Sequence, residues 1–343
     1  MTIHIGLIGG GNITDTHARA AREITGVEIA AIYGSSAPKV GRLCHEHGGQ
    51  PYQDFDAFLK HRPLDLVIIG SPSGCHATHG IAAARSGLHV LTEKPMDISS
   101  KRADALIEAA EQTGVKLGVI FQDRLKPEIL QVKQWIDAGD VGKIMLIDAR
   151  VPWYRPPEYY GSSRWRGTFG LDGGGALINQ GVHTVDLLLW LFGNVARVQA
   201  RMRTALHAIE VEDTAVAILE FAGGPLGTLQ ATTAAYPGYP RRLEIMGSEG
   251  TVIIADDRIA AADLRTPRTN AVRSTARKDE GAASHVVSDV RGHRAVIEDF
   301  IRAIEHDSTP ACDGREGRRS IELIETIYQA ARNSEATTNS RAG

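Results

Sequence analysis

Apolar residues follow two rhythms along this chain. Short, nearly unbroken apolar runs at 3–8, 27–33, 65–70, 88–91 and 115–120 read as strands buried on both faces. Between them, residues 12–24, the stretch reaching about 47, and 75–86 and 99–113 repeat at helical spacing. Strands alternating with helices predict a doubly wound parallel sheet, an α/β Rossmann-type domain, over residues 1–121.

Beyond that point the rhythm changes. A helix is expected at 124–138 and a strand at 143–151, then a helix whose apolar part is 182–192. Strand-like runs follow at 195–204, 211–221, 225–235, 241–247 and 251–255 with no helices between them, so residues 122–343 read as an α+β domain with a mostly antiparallel sheet. The charged stretch 266–290 reads as a loop or lid, 294–305 and 315–333 as closing helices, and 335–343 as a frayed tail.

Composition adds exclusions. The 343 residues are 43% hydrophobic and 23% charged, with a net charge of −3, so no basic field for nucleic acid is implied. No apolar run reaches membrane-spanning length, and the N-terminus enters a strand without the regions of a signal peptide. Three scattered cysteines, Cys44, Cys75 and Cys312, argue against a disulfide framework or thiolate zinc site. A cytoplasmic location is expected.

The first strand ends in Gly9-Gly10-Gly11 and passes into a helix. Gly9 suits the tight turn, Gly11 the close approach of a dinucleotide pyrophosphate, and the N–H groups at Asn12 and Ile13 the negative charge. Thr14 stands where the fingerprint wants glycine or alanine. After the second strand, Ser35, Ser36, Lys39 and Arg42 replace the carboxylate that would hold a ribose hydroxyl and repel a 2′-phosphate. This leans slightly toward NADP over NAD. Lys94 lies just past a strand's carboxyl end, where an ammonium group can polarise a substrate oxygen; the plainer reading is a surface lysine. Asn179 and His183 are four apart and share a helix face; His183 is a candidate base or an ordinary core histidine. His76 and His79 have no further ligand at suitable spacing, so no metal is expected. Arg155, Arg164, Trp165 and Arg166 can clamp an anionic sugar substrate or simply brace a loop.

Glu93-Lys94-Pro95, Gly173-Gly174-Gly175, Asn179-Gln180-Gly181-Val182-His183 and Ile297-Glu298-Asp299-Phe300, with the opening glycines, resemble the Gfo/Idh/MocA family. The middle segment, Trp153-Tyr154-Arg155 with Trp165-Arg166-Gly167 and 171–177, is most similar to sugar-nucleotide 3-dehydrogenases acting on UDP-N-acetylglucosaminuronate. The resemblance implies a large open-faced C-terminal sheet used for homodimer or homotetramer contacts. It also implies hydride transfer between nicotinamide and a hydroxyl-bearing carbon of a sugar, sugar acid, cyclitol or sugar nucleotide. By the same resemblance Lys94 and His183 serve the reacting hydroxyl with Asn179 in support, and Ser71, Pro72, His76 and Glu93 join the cofactor site. Asparagine stands at 179 where the family often has aspartate, which denies His183 a charge partner there. The rival reading is a non-catalytic, cofactor-binding regulator.

Overall fold

In the computed structural model, which describes residues 2–161, 165–266 and 289–339, the first apolar run forms β1 (Ile3–Ile8). Then come α1 (Asn12–Arg22), β2 (Val27–Tyr33), α2 (Ala37–His47), β3 (Gln50–Tyr52), α3 (Phe55–Leu59), β4 (Leu66–Ile69), α4 (His76–Arg85), β5 (His89–Thr92), α5 (Ser100–Thr113) and β6 (Leu117–Val119). The strands make a 6-stranded sheet in the order β3-β2-β1-β4-β5-β6, and every pairing is parallel. Leu66, Val67, Ile68 and Ile69 are wholly buried, and each contributes about 1.5–3 kcal/mol of burial. That is why β4 carries no polar alternation. The short strand β3 lay outside the expected set: Gln50-Pro51-Tyr52 has no apolar run, and its position comes from parallel pairing with β2.

A second unit begins at Asp123. It holds α6 (Pro127–Asp137), β7 (Ile144–Pro152), α7 (Pro157–Gly161), a π-helical turn at Ala176–Gly181, α8 (Val182–Phe192), β8 (Val195–Arg203), β9 (Thr214–Phe221), β10 (Leu226–Thr232), β11 (Arg242–Gly247), β12 (Gly250–Ala255) and β13 (Arg258–Leu264). A 7-stranded sheet results, in the order β13-β12-β11-β7-β10-β9-β8. It is antiparallel except where β10 runs parallel to β7. Along β9 and β10 buried and exposed residues alternate, the pattern of a sheet with one covered face. The strand β13 escapes periodicity because its sequence is small and polar, RIAAADL.

The chain returns to its first unit late. The described part of Val286–Ile321 belongs with Met1–Gln122, whereas the sequence reading placed it in the second domain. The reason is an amphipathic helix, α9 (Arg291–Glu305), which buries Val296, Ile297, Phe300 and Ile301. Phe300 lies so close to Gly118 of β6 that a Cβ there would sit 2.8 Å from its ring. The amide of Val119 donates to the carbonyl of Cys312 at 3.0 Å. The last helix, α10 (Gly314–Asn339), begins in the first unit and continues into the second, and it is helical through much of the expected tail. The stretch read as a loop or lid lies almost wholly outside the described residues. Phe300→Ala is expected to lower stability by about 3–5 kcal/mol, read as a fall in the midpoint of denaturant unfolding of the first unit.

Candidate active site

In the first unit the candidate residues gather at the carboxyl ends of β1, β2, β4 and β5. Gly9 has φ +136, and a Cβ there would stand 2.6 Å from the Thr14 hydroxyl and 2.7 Å from the Gly70 carbonyl, so only glycine turns the chain into α1. Gly11 is the N-cap of α1 and makes no side-chain capping bond. Nothing lies within 4 Å of where its Cβ would be, and Gly11 and Asn12 are exposed. An open, uncapped helix N-terminus with the amides of Asn12 and Ile13 at its tip fits a pyrophosphate.

At the end of β2, Ser35 and Lys39 are exposed, and Ser36 is an N-cap whose side chain makes no capping bond. Arg42 lies 2.9 Å from Glu46 in an exposed pair one turn apart on α2. Tyr33, Phe55 and His79 form an aromatic group beside it, with ring centroids 4.8–5.9 Å apart. Burial, followed by the charge of His76, pushes His79 down to about 4, and its Nδ1 lies 3.0 Å from the Ser71 hydroxyl. Pro72 precedes the turn that leads into α4. The two ring nitrogens of His76 lie 2.8 Å from the carbonyls of Pro95 and Ser71, so this buried ring ties two loops together.

From Val90 to Asp97 every residue is buried except Lys94. Its neighbour Glu93 is 6% exposed and accepts from His17 Nε2 at 2.9 Å and from the Lys94 amide at 3.1 Å. His293 Nε2 lies 3.5 Å from the same carboxylate. Burial works against the charge of Glu93, yet the two histidines hold its carboxyl well below the usual carboxylate range. Burial also pushes His17 down. This triad could bring three ligand atoms to a metal ion, but as it stands it is a directly bonded set that fixes the backbone at Lys94.

The second unit repeats that pattern of exposure. Between Gly174 and Leu189 only Asn179 and His183 are half-buried, and all other residues are buried. The π-turn carries Asn179 and flows into α8, which carries His183. Its N-terminus is held by Glu212, which accepts from the amides of Gly175 and Leu177 at 2.9 Å each and from the Tyr328 hydroxyl at 2.9 Å. A Cβ on Gly175 would collide with the Glu212 carbonyl at 1.6 Å, and one on Gly174 with the Tyr328 hydroxyl at 2.2 Å. Gly174 and Gly175 are therefore the imprint of Tyr328 and Glu212, while Gly173 is set by its positive φ of 82°. Asp172 accepts from Asn179 Nδ2 at 2.6 Å and from the Gly167 amide at 2.8 Å, which fixes the Asn179 amide with its nitrogen on Asp172. His183 Nδ1 faces Asp123 Oδ2 at 3.6 Å.

Arg155 is 4% exposed. Its guanidinium lies 5.0 Å from the centre of Trp153 and 5.5 Å from that of Tyr159, and burial pushes its pKa down. Arg166 lies 4.3 Å from the buried Tyr159 of α7 and 5.6 Å from Trp165, and Arg166 and Trp165 are half-buried. Arg164 lies outside the described residues.

Two family models divide the chain. One, described as an oxidoreductase family with an NAD-binding Rossmann fold, matches residues 3–121. The other, the GFO/IDH/MocA C-terminal domain, matches residues 129–253. The chain belongs to the Gfo/Idh/MocA oxidoreductases. Inositol 2-dehydrogenase of Rhizobium meliloti is 25% identical across 96% of this chain and 97% of its own. D-apiose dehydrogenase of Paraburkholderia graminis is 25% identical across 95% and 87%. The WlbA dehydrogenase of Bordetella pertussis, solved with NADH and UDP-GlcNAcA, superposes with a TM-score of 0.88 at 32% identity, covering 97% of this chain and 96% of that one.

The sequence reading did not single out Asp123, Glu212 or Tyr328 and named Asp172 only within a motif. Three glycines in a row marked something pressing on that backbone, but not what pressed.

Burial pushes the Glu212 carboxyl up to about 7, against the opposing bonds from Leu177, Tyr328 and Gly175. A folded pKa above the unfolded value means that Glu212 adds stability below its ordinary pKa, and that this is lost as pH rises through about 7. His17, His79 and His89, all lowered by burial, push the opposite way over the same range. The comparison that isolates Glu212 is therefore wild type minus Glu212→Gln. That difference in unfolding free energy is expected to be largest near the ordinary carboxylate pKa and to decline until pH passes about 7.

Proposed function

We propose that this oxidoreductase oxidises, reversibly, a secondary hydroxyl of a sugar, and that a sugar nucleotide bearing a carboxylate is its leading substrate class. The observation that carries this reading is the pattern of burial: Lys94 in one buried run and Asn179 with His183 in another are the half-buried residues of otherwise buried segments. Support for the substrate class comes from the 32% likeness to the WlbA dehydrogenase solved with UDP-GlcNAcA and from the arginine- and tryptophan-rich segment that resembles such enzymes. In this reading Arg155, Arg164 and Trp165 belong to the substrate side.

Oxidation of an alcohol removes a hydride from carbon and a proton from oxygen. The dinucleotide, when bound, accepts the hydride. The proton is left to this chain: His183 takes it, the Lys94 ammonium stabilises the oxygen as charge develops, and Asn179 orients the substrate. Gly9, Gly11, Asn12, Ile13, Ser71, Pro72, His76 and Glu93 build the cofactor side. With no carboxylate at the tip of β2 and Lys39 exposed there, both NAD and NADP are admitted.

The test follows reduced-nicotinamide absorbance with a panel of sugars, cyclitols and UDP-sugars, each with NAD and with NADP. Lys94→Ala and His183→Ala are each expected to lower kcat by about 100-fold or more while leaving dinucleotide affinity, read by fluorescence titration, within about threefold. Wild-type turnover in either variant would remove that residue from the chemistry.

The outer face of the second sheet exposes Leu146, Val216, Ile218 and Leu226, with exposures of 41–52%. We assign this face to a second copy of the chain. Light scattering is expected to give a dimer or tetramer, and Ile218→Asp with Leu226→Asp a smaller species; a monomeric wild type would overturn the assignment. Three free cysteines suit the cytoplasm, where we place the enzyme.

A further inference from the structure

Deprotonating an alcohol with a histidine requires one ring nitrogen to be free of its proton and the other to hold it. A carboxylate beside the second nitrogen is the usual way to fix that choice. Position 179 cannot supply one here. Asp172 Oδ1 lies 2.6 Å from Asn179 Nδ2, so an aspartate at 179 would set two carboxylates against each other at hydrogen-bond distance, and one would have to stay protonated. Asp186, three residues beyond His183, is also committed. Both its oxygens accept from Arg124, Oδ2 from Nε at 2.8 Å and Oδ1 from Nη2 at 2.6 Å, and the pair is buried.

The carboxylate that does face His183 comes from a distant stretch. Asp123 sits in the 3-10 turn Gln122–Leu125, ahead of α6, and is 4% exposed. Its Oδ1 is 2.7 Å from Lys126 Nζ, and its Oδ2 accepts from Arg241 Nη2 at 2.6 Å. Lys126 and Arg241 are bonded in turn to Asp257. Two acids and two bases thus close a neutral ring in which Asp123 cannot swing away. Burial works against the charge of Asp123, but Arg241, then Lys126 and His183, hold its carboxyl well below the usual carboxylate range. It is ionised whenever a histidine base is in use. From this ring, Oδ2 looks across 3.6 Å at Nδ1 of His183.

We propose that Asp123 is the positioning residue of His183: held by Arg241 and Lys126, its carboxylate keeps the ring proton on Nδ1 and leaves Nε2 to take the proton of the substrate hydroxyl. The charge missing from position 179 is supplied from position 123, and Asp172 explains why it had to move. The consequence for the reaction rests on His183 being the base; the pairing does not.

The experiment needs no substrate. Imidazole nitrogen and carbon resonances of the full-length protein, with His183 identified by its loss in His183→Gln, report tautomer and titration midpoint. In the wild type the neutral ring of His183 is expected to carry its proton on Nδ1. Asp123→Asn is expected to lower the midpoint by about one pH unit and to mix the tautomers. Asp257→Asn removes the same charge from the same ring without touching His183, and is expected to leave tautomer and midpoint in place. A neutral wild-type ring protonated on Nε2 would overturn the proposal even if Asp123→Asn did not fold. Equal shifts from both variants would also overturn it, since the ring would then act only through its general field. The base reading fails separately, by turnover surviving in His183→Ala.

Discussion

A buried carboxylate with three donors holds the segment that carries Asn179 and His183 in shape. Glu212 receives the amides of Gly175 and Leu177 and the hydroxyl of Tyr328. The amides it satisfies belong to the start of a π-turn, which leaves more N–H groups unmet than an α-helix does. Asn179 and His183 ride on the turn and on the helix that continues it. The glycines at 174 and 175, the depth of Tyr328 and the exposure of just two side chains in the following run all follow from that contact.

The first unit solves the corresponding problem in its own way. Lys94 stands at the end of a buried strand, and the chain after it must leave the sheet without losing the lysine's position. Glu93 provides the fixed point by receiving the Lys94 amide and the His17 ring, with His293 beside it. His76 adds a second tie through Pro95. In both units the half-buried candidates Lys94, Asn179 and His183 are carried by a strongly bonded interior, which suits a reaction that depends on orientation.

Much of this was legible from residue order. Nearly unbroken apolar runs marked β1, β2, β4 and β5; β4, covered on both faces, is apolar throughout, while β2 keeps Glu28 exposed. Gly9, turned to a positive φ, and Gly11, exposed at an uncapped helix end, sit where a glycine-rich turn was expected. What escaped were contacts between residues far apart in the chain. Asp123 meets Arg241 across 118 positions and Glu212 meets Tyr328 across 116, and no local periodicity encodes either. Short or weakly apolar strands such as β3 and β13 escaped for a related reason: they are made by the strands they pair with.

The return of the chain to its first unit also bears on how the protein is made. Gly118 of β6 is covered by Phe300, and Val119 is bonded to Cys312. The edge of a sheet built from the first 122 residues therefore stays bare until almost the whole polypeptide has been synthesised. A central strand of the second sheet, β7, likewise waits for β10 and β11. Neither unit is a continuous segment that can be cut out at a linker, and a nascent chain halted partway presents two unfinished sheets. Such edges invite pairing with other chains, so the fold is most open to wrong pairing before the segment from Phe300 to Cys312 is in place.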